Sequence, residues 1–136
     1  MKIGFTGTRD EINKIQKKNL YDILFSIKNN IESAHHGDCV GADTEFHNVC
    51  SELGINIVIH PPVKKELRAF NKSNNIKIEK SYFERNRDIV NETDILIAIP
   101  KTDFETEGGT WYTINYAKKS NKKIVILYPN GDISNK

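Results

Sequence analysis

The fold is decided by residues 35–43, which read His-His-Gly-Asp-Cys-Val-Gly-Ala-Asp. The segment 31–34 before them is short and mostly small or apolar, which predicts the end of a strand. After them, apolar residues recur at the i, i+3, i+4, i+7 spacing of one helix face, at Phe46, Val49, Cys50 and Leu53. The stretch is therefore predicted to be a strand-to-helix turn, in which glycines free the backbone and a helix N-terminus offers unpaired N–H groups. Such turns bind anionic small molecules at the edge of a parallel sheet; alternatively, the glycines only make the turn and Asp38 or Asp43 only caps the helix.

The composition is that of an ordinary globular protein. A chain of 136 residues predicts one domain with a buried core. The net charge of +2 is too small to argue for a nucleic-acid partner, so none is expected. The two cysteines match no zinc or disulfide spacing, which favours a reducing cytoplasm and predicts neither a metal site nor a cofactor. No apolar run approaches the length of a membrane span and no signal peptide is evident, so no membrane partner is expected.

Five short apolar segments alternate with helical patterns: 2–6, 31–35, 55–60, 94–99 and 123–128. This alternation predicts the α/β class, as a single Rossmann-like domain with a five-stranded parallel sheet and helices on both faces. Right-handed crossovers favour the strand order 3-2-1-4-5, with the ligand crevice outside the carboxyl ends of the first and fourth strands. The domain is predicted to span 1–129, followed by a frayed polar tail at 130–136.

Three details of the connections are also predicted. Asp10 or Thr8 is expected to cap the first helix. The polar segment 63–80 is long for a compact domain, so it is either a mobile lid or a solvated excursion. Cys39, near a helix N-terminus, could have a lowered pKa, but no partner base is evident, so nucleophilic catalysis is not expected.

The carboxyl ends of the predicted strands gather most of the candidate ligand-binding residues. These are Gly7, Thr8, Arg9, His36, Gly37, Asp38, Gly41, Asp43, Pro100, Gly108, Gly109 and Thr110. Arg9 at the crevice mouth could pair a phosphate bidentately or form a surface ion pair. Gly108 and Gly109 open a helix, and the N-terminus of a helix suits a phosphate.

Four further candidates lie on helices. Tyr82 and Trp111 could cover a base, although core packing explains the tryptophan equally well. Asn86, a polar residue on a buried helix face, is expected to tie down a glycine loop. Arg85 beside it is expected to face the crevice mouth or solvent and to bind phosphate.

The adjacent histidines His35 and His36 point to opposite faces of a strand and cannot easily share a metal. One of them is expected to pack under the sheet. The acidic loop with Glu105 and Glu107 offers general bases, although such a loop is more often simply solvated.

Four segments together resemble the SLOG superfamily, the Rossmann-like group that includes the Lonely guy phosphoribohydrolases and the DNA-processing Smf proteins. The YspA/YpsA-like branch is the most similar. The matching residues are Gly7 to Asp10, His36 to Asp43, Arg85-Asn86 with Ile89-Val90, and Gly108 to Thr110, within residues 4–128. The resemblance implies binding of nucleotides or nucleotide-derived signals, including cyclic ADP-ribose-type or cyclic-nucleotide immune signals, by a sensor or by a sequestering protein.

One departure from this pattern decides between binding and catalysis. Lonely guy enzymes carry Pro-Gly-Gly-x-Gly-Thr-x-x-Glu; here Gly109-Thr110 matches the Gly-Thr pair, and the Glu position falls on Thr113. A threonine cannot replace a carboxylate at an oxocarbenium-like centre. The expected function is therefore binding, with Arg9 and Arg85 on phosphate and Asp38 or Asp43 on a ribose hydroxyl.

Two alternatives and one assembly state complete the prediction. The first alternative is an N-glycosidic hydrolase or transferase acting on a nucleoside monophosphate through Glu105, Glu107 or Asp43. A single-stranded DNA binder of the Smf kind is disfavoured by the near-neutral charge. A homo-oligomer is expected, since members of the family often dimerise and since 94–99 and the helix after Gly109 are apolar enough to leave a face.

Overall fold

A computed structural model describes residues 1–135. The strands are β1 (Lys2–Gly7), β2 (Ser33–His36), β3 (Ile57–Ile59), β4 (Asn75–Ile76), β5 (Ile95–Ile99), β6 (Lys123–Leu127) and β7 (Ile133–Asn135). The helices are α1 (Lys14–Ile27), α2 (Ala42–Glu52), α3 (Tyr82–Asn91) and α4 (Gly109–Lys119), with short 3-10 turns at Lys28–Asn30 and Lys65–Leu67. None of the helices within residues 1–135 is long and apolar enough to cross a membrane.

The sheet has seven strands in the order β4-β3-β2-β1-β5-β6-β7. The prediction of five strands in the order 3-2-1-4-5 is therefore wrong in number and in overall order, because a further strand lies at each edge. Strand β7 is antiparallel to β6, so the sheet is not wholly parallel either. Within the sheet, β1 pairs in parallel with β2 on one side and with β5 on the other. The strand order therefore reverses at β1.

Strand β5 is apolar throughout because it is covered on both faces. Ile97 and Ile99 belong to a core with α1 and α2, which contribute Leu20, Leu24 and Phe46. Leu96 and Ala98 point the other way, into a second core with Trp111 and Ile114 of α4. The apolar surface expected to drive self-association is therefore used inside the domain. This argument for a homo-oligomer is lost, and the homo-oligomer stays a prediction that rests on the resemblance alone.

Helix α1 begins later than predicted. Its N-cap is Asn13, not Asp10 or Thr8, because Asn13 forms a capping box with Gln16. The Asn13 side chain accepts from the Gln16 N–H at 2.9 Å, and the Gln16 side chain accepts from the Asn13 N–H at 3.2 Å. Gln16 Nε2 also donates to the carbonyls of Pro100 and Leu127, at 3.0 and 3.1 Å. The Pro100 carbonyl is thus engaged by α1, and Pro100 does not line the crevice described below.

The long segment 63–80 is pinned to the glycine turn after β2. Arg68 Nε lies 3.1 Å from Asp38 Oδ2, and the Ala69 N–H donates to the Asp38 carbonyl at 2.7 Å. The same segment then forms β4 beside β3. The segment is therefore attached to the rest of the domain at these points, while most of its residues are exposed, as in a solvated excursion.

The segment predicted to be a frayed tail contains a strand. Residues 133–135 form β7, which pairs with β6 through a turn in which the Tyr128 N–H donates to the Asp132 carbonyl at 2.9 Å. The expectation of fraying is wrong for these residues, and Lys136 lies outside the described residues.

Candidate functional site

A crevice of about 350 Å³ lies outside the carboxyl ends of β1 and β5. Its lining includes eight of the residues predicted to bind ligand: Gly7, Thr8, Arg9, Tyr82, Gly108, Gly109, Thr110 and Trp111. Asp10, Lys101, Thr106 and Glu107 complete it. Lys101 was missed by the sequence reasoning, although its place directly after the Pro100 that ends the fourth predicted strand is a usable signal.

The N-terminus of α4 opens onto this crevice. Its N-cap is Gly108 at φ +132°, and no side chain of the described residues caps it. The first helical turn contains no acid, while Lys118 and Lys119 lie in the last turn. The first N–H groups of the helix therefore carry the positive end of its dipole without an internal partner, which is the arrangement that binds anions.

Arg9 stands over the aromatic wall of the crevice. Its guanidinium carbon lies 4.8 Å from the centroid of the Tyr82 ring, within the range of a cation–π contact. The Tyr82 ring in turn rests against Gly109, where a Cβ atom would overlap the phenol group. Lys101 Nζ, the second cation of the crevice, lies 2.8 Å from Asp10 Oδ2. Arg9 is thus the cation at the crevice without a carboxylate partner among the ion pairs of residues 1–135.

Trp111 is both a core residue and a wall of the crevice. Its side chain is only 6% exposed and packs in the second core. Its buried indole Nε1–H has no hydrogen-bond partner in the part of the chain that the structure describes. An unsatisfied buried donor costs about 1–3 kcal/mol, so a ligand acceptor that reached this N–H would relieve that cost.

The sequence predicted that Arg85 faces the crevice mouth or solvent, but in the structure it faces neither. It is 3% exposed, and its Nη1 donates to the carbonyls of Gly37 and His60 while its Nη2 lies 3.1 Å from the Cys39 sulfur. A Cβ atom on Gly37 would overlap this guanidinium. Arg85 therefore fills the glycine turn at residues 37–41 from inside, and it meets the crevice only through Tyr82, at 4.7 Å from the ring centroid.

The two aspartates expected to hold ribose are also committed to the protein. Asp38 is fully buried at φ +59°, with its carboxylate bound by Arg68 and by the Asn71 N–H at 3.0 Å. Asp43 accepts from the Cys39 N–H at 3.0 Å, and burial raises its pKa to about 6. Neither aspartate, nor His36, Gly37 or Gly41, lines the crevice.

The cysteine and the adjacent histidines behave as buried groups. Burial raises the pKa of Cys39, so the lowered pKa suggested by its position is wrong. His36 Nδ1 accepts from the Asp38 N–H, and its Nε2 lies 2.9 Å from His47 Nδ1. His35 pairs instead with His60, which confirms that the two neighbours point to opposite faces. His47 and His60 were missed because each is distant in sequence from its partner.

Three other residues discussed in the sequence analysis, Asn86, Thr113 and Glu105, do not line the crevice. Asn86 is buried, but no side-chain hydrogen bond joins it to a glycine turn within residues 1–135; Arg85 makes that contact instead. Thr113 is buried and its Oγ1 donates to the Gly109 carbonyl at 2.8 Å. Glu105 accepts from Asn115 at 3.3 Å and does not line the crevice, whereas Glu107 does.

No family model and no curated protein matches this chain. Solved structures do. The molybdenum cofactor binding protein of the phototrophic bacterium Rippkaea orientalis has a TM-score of 0.75 at 19% identity, over 93% of this chain and 76% of that protein. The molybdenum cofactor carrier protein of Chlamydomonas reinhardtii has a TM-score of 0.68 at 17% identity, over 93% of this chain and 75% of its own.

DNA processing protein A of Streptococcus pneumoniae is also similar, with a TM-score of 0.71 at 16% identity. The match covers 92% of this chain and 49% of that protein, so this chain spans about half of its length. At these identities the likeness shows the fold alone, and this chain has the Rossmann-like α/β fold of these proteins. Membership of the SLOG superfamily and of its YspA/YpsA-like branch stays a prediction.

Proposed function

We propose that this protein binds a phosphorylated, nucleotide-derived small molecule in the crevice between β1 and α4, and that it senses or sequesters this molecule. The observation that carries the proposal is the uncapped N-terminus of α4, which opens onto the same crevice as Arg9 and the unpartnered Trp111 indole. In this arrangement the helix N–H groups and Arg9 bind phosphate. The Tyr82 ring holds the Arg9 guanidinium at the crevice, with the guanidinium carbon 4.8 Å from the ring centroid.

The size of the crevice agrees with such a ligand. About 350 Å³ lies at the lower end of the range for small-molecule pockets, about 300–1,000 Å³, and suits one mononucleotide unit. Two of the structural neighbours are named for binding or carrying the molybdenum cofactor, which supports small-molecule binding by this fold. That cofactor therefore belongs among the ligands to be tested.

Binding without turnover is favoured by the position of the carboxylates. The residue at the Lonely guy glutamate position, Thr113, is a buried threonine that donates to the backbone of its own helix. Asp43 lies in the closed glycine turn, and Glu105 lies outside the lining. Of the three candidate catalytic carboxylates only Glu107 lines this crevice; Asp10 also lines it but is paired with Lys101. Glu107 is therefore the residue through which the second candidate function, a hydrolase, can be tested.

The test is isothermal titration of the purified chain with nucleoside monophosphates, cyclic ADP-ribose isomers and the molybdenum cofactor. We expect at least one to bind, and Arg9→Ala to weaken that binding roughly tenfold to a hundredfold, because a charge-assisted contact contributes about 1.5–3 kcal/mol. The melting temperature should hardly change, since Arg9 is exposed and loses only its contact with Tyr82. Lys119→Ala, at the far end of α4, is the matched control and should bind as the parent does.

Chromatography of the denatured complex separates binding from catalysis. Intact ligand supports a sensor or sequestering protein. Catalytic release of a free base that disappears in Glu107→Gln establishes the hydrolase instead. Equal affinity of Arg9→Ala and the parent for every ligand removes phosphate binding from this crevice.

A further inference from the structure

Two buried histidines and a glutamate come together on the sheet face beside α3, away from the crevice. His35 on β2 is paired in register with Val58 on β3. His60 lies two residues after Val58, so its side chain shares a face with that of His35. Glu92 is the C-cap of α3. One potential ligand atom from each of the three residues lies within 4.8 Å of the others. We propose that His35, His60 and Glu92 form a binding site for a divalent transition-metal ion.

The two imidazoles are already held close together. His35 Nδ1 lies 2.8 Å from His60 Nε2, and the two side chains are 4% and 2% exposed. Both rings are neutral at neutral pH, because burial lowers the pKa of His35 to about 4 and that of His60 to about 3. Neutral imidazole is the form that ligates metals. A metal would need the His60 proton on Nδ1, so that both facing nitrogens present lone pairs.

The outer nitrogen of His35 has the partner that a ligating histidine needs. Its Nε2 lies 2.9 Å from Ser33 Oγ. In metal sites the non-ligating ring nitrogen typically donates to such a group, which fixes the tautomer and the orientation of the ring. With the proton of His35 on Nε2 toward Ser33, the Nδ1 lone pair faces His60, and a metal ion would replace the hydrogen bond between the two rings.

The site opens to solvent on one side. His35 and Glu92 line a groove of about 690 Å³, so a ligand set of two histidines and one glutamate would leave a fourth position accessible. Lys77 is the competitor, with its Nζ 3.8 Å from Glu92 Oε1. Both of these side chains are substantially exposed, and such pairs contribute little to stability, so a metal ion can displace the lysine. Imidazole ligands favour zinc and neighbouring transition metals over magnesium or calcium.

The second histidine pair of the protein is a natural control. His36 and His47 are as close as the first pair, at 2.9 Å. However, within residues 1–135 no other group of three potential ligands meets the same distance. The proposal therefore depends on Glu92 as much as on the histidines.

The test is titration of the whole chain with Zn²⁺ by calorimetry, with thermal unfolding in parallel. We expect one equivalent to bind and to raise the melting temperature, because the folded state alone presents the site. Glu92→Gln, at the exposed end of α3, should weaken binding about tenfold or more, since even the loss of an outer partner of a ligand costs about 10–100-fold. Glu84→Gln, in the first turn of the same helix, is the matched control. Lys77→Met should tighten binding severalfold by freeing Glu92.

Two results would overturn the site. One is no Zn²⁺ binding by the parent. The other is binding that is unchanged in Glu92→Gln and in Lys77→Met. A His60→Gln variant that retains the circular dichroism spectrum of the parent should lose Zn²⁺ binding, while His47→Gln should keep it. Loss of Zn²⁺ binding in His47→Gln but not in His60→Gln would assign the metal to the other histidine pair.

Discussion

The glycine turns at residues 37–41 and 108–109 both lead from the sheet into a helix, yet one is filled and the other is open. The first turn encloses the Arg85 guanidinium and the Asp43 carboxylate, and a Cβ on Gly41 would overlap the backbone of Arg9. The second turn has nothing within 4 Å of a Cβ placed on Gly108, and it borders the crevice. The same sequence signal therefore accompanies two different structures: a turn packed closely against the rest of the protein, and a turn that borders an open crevice.

The partner that closes the first turn comes from far along the chain. Arg85 is 48 residues away from Gly37 in sequence. A local motif cannot reveal such a partner, and this is why the turn that best matches the resembled family is not the one that offers open space.

The largest difference between the turns should appear in Gly37→Ala. The added methyl overlaps the buried Arg85 guanidinium, which would lose its hydrogen bonds to the Gly37 and His60 carbonyls. We expect a loss of about 3 kcal/mol or more in the free energy of unfolding, measured by urea denaturation. Gly109→Ala overlaps only the phenol end of Tyr82, so it should cost less stability and reduce ligand affinity instead. Equal stability losses in the two variants would contradict the comparison.

The buried carboxylate of Asp43 in the first turn should also make the free energy of unfolding depend on pH. The pKa of Asp43 rises to about 6 in the folded protein from an ordinary value of 3.8. The folded state therefore binds the proton more tightly, and the contribution of Asp43 to stability is lost as pH rises from about 4 to about 6. Relative to Asp43→Asn, the parent should lose about 2–3 kcal/mol across this interval. The buried histidines titrate in both proteins and cancel in the difference.

Asp22→Asn, an exposed substitution on α1, is the control for this measurement. A difference curve between the parent and Asp43→Asn that is flat between pH 4 and pH 6 would mean that water reaches the carboxylate and that the turn is not closed.

The smallest effect is expected at the open turn. Trp111→Phe keeps an aromatic ring in the core, but the smaller ring leaves a cavity and removes the unpartnered indole N–H. The cost of the cavity and the relief of the unsatisfied donor should largely offset each other in the free energy of unfolding, while ligand affinity falls about fivefold, equivalent to about 1 kcal/mol. Unchanged affinity together with increased stability would indicate that this N–H is only an unsatisfied group of the core.

The sequence predicted the interior of the fold well because the interior strands carry a strong apolar signal. β5 is apolar on both faces, and its place beside β1 follows from the crossover rules. The edge strands were missed because β4 has only two residues, both exposed, and because β7 contains Ser134 and Asn135. These strands are defined only by their backbone pairing with β3 and β6, and segments this short carry no alternation of apolar and polar residues that would predict a strand.

Side-chain direction was the weaker part of the prediction. Arg9, Tyr82 and the residues around Gly109 were placed correctly beside one crevice because the carboxyl ends of parallel strands share an edge. Arg85 was misplaced because its partners are backbone carbonyls, which every residue possesses. The cap of α1 was not recoverable from the capping-box pattern, since Thr8 has Glu11 at the same spacing at which Asn13 has Gln16.

The shortness of the two outer strands limits how copies of this chain can meet. A free sheet edge recruits a strand from another molecule when it is long and flat, whereas β4 and β7 expose two and three residues. Extension of the sheet from one copy into the next is therefore a poor route to assembly. A dimer is therefore expected to use another surface, such as the one where Phe83 of α3, 48% exposed, packs edge-on against Tyr112 of α4.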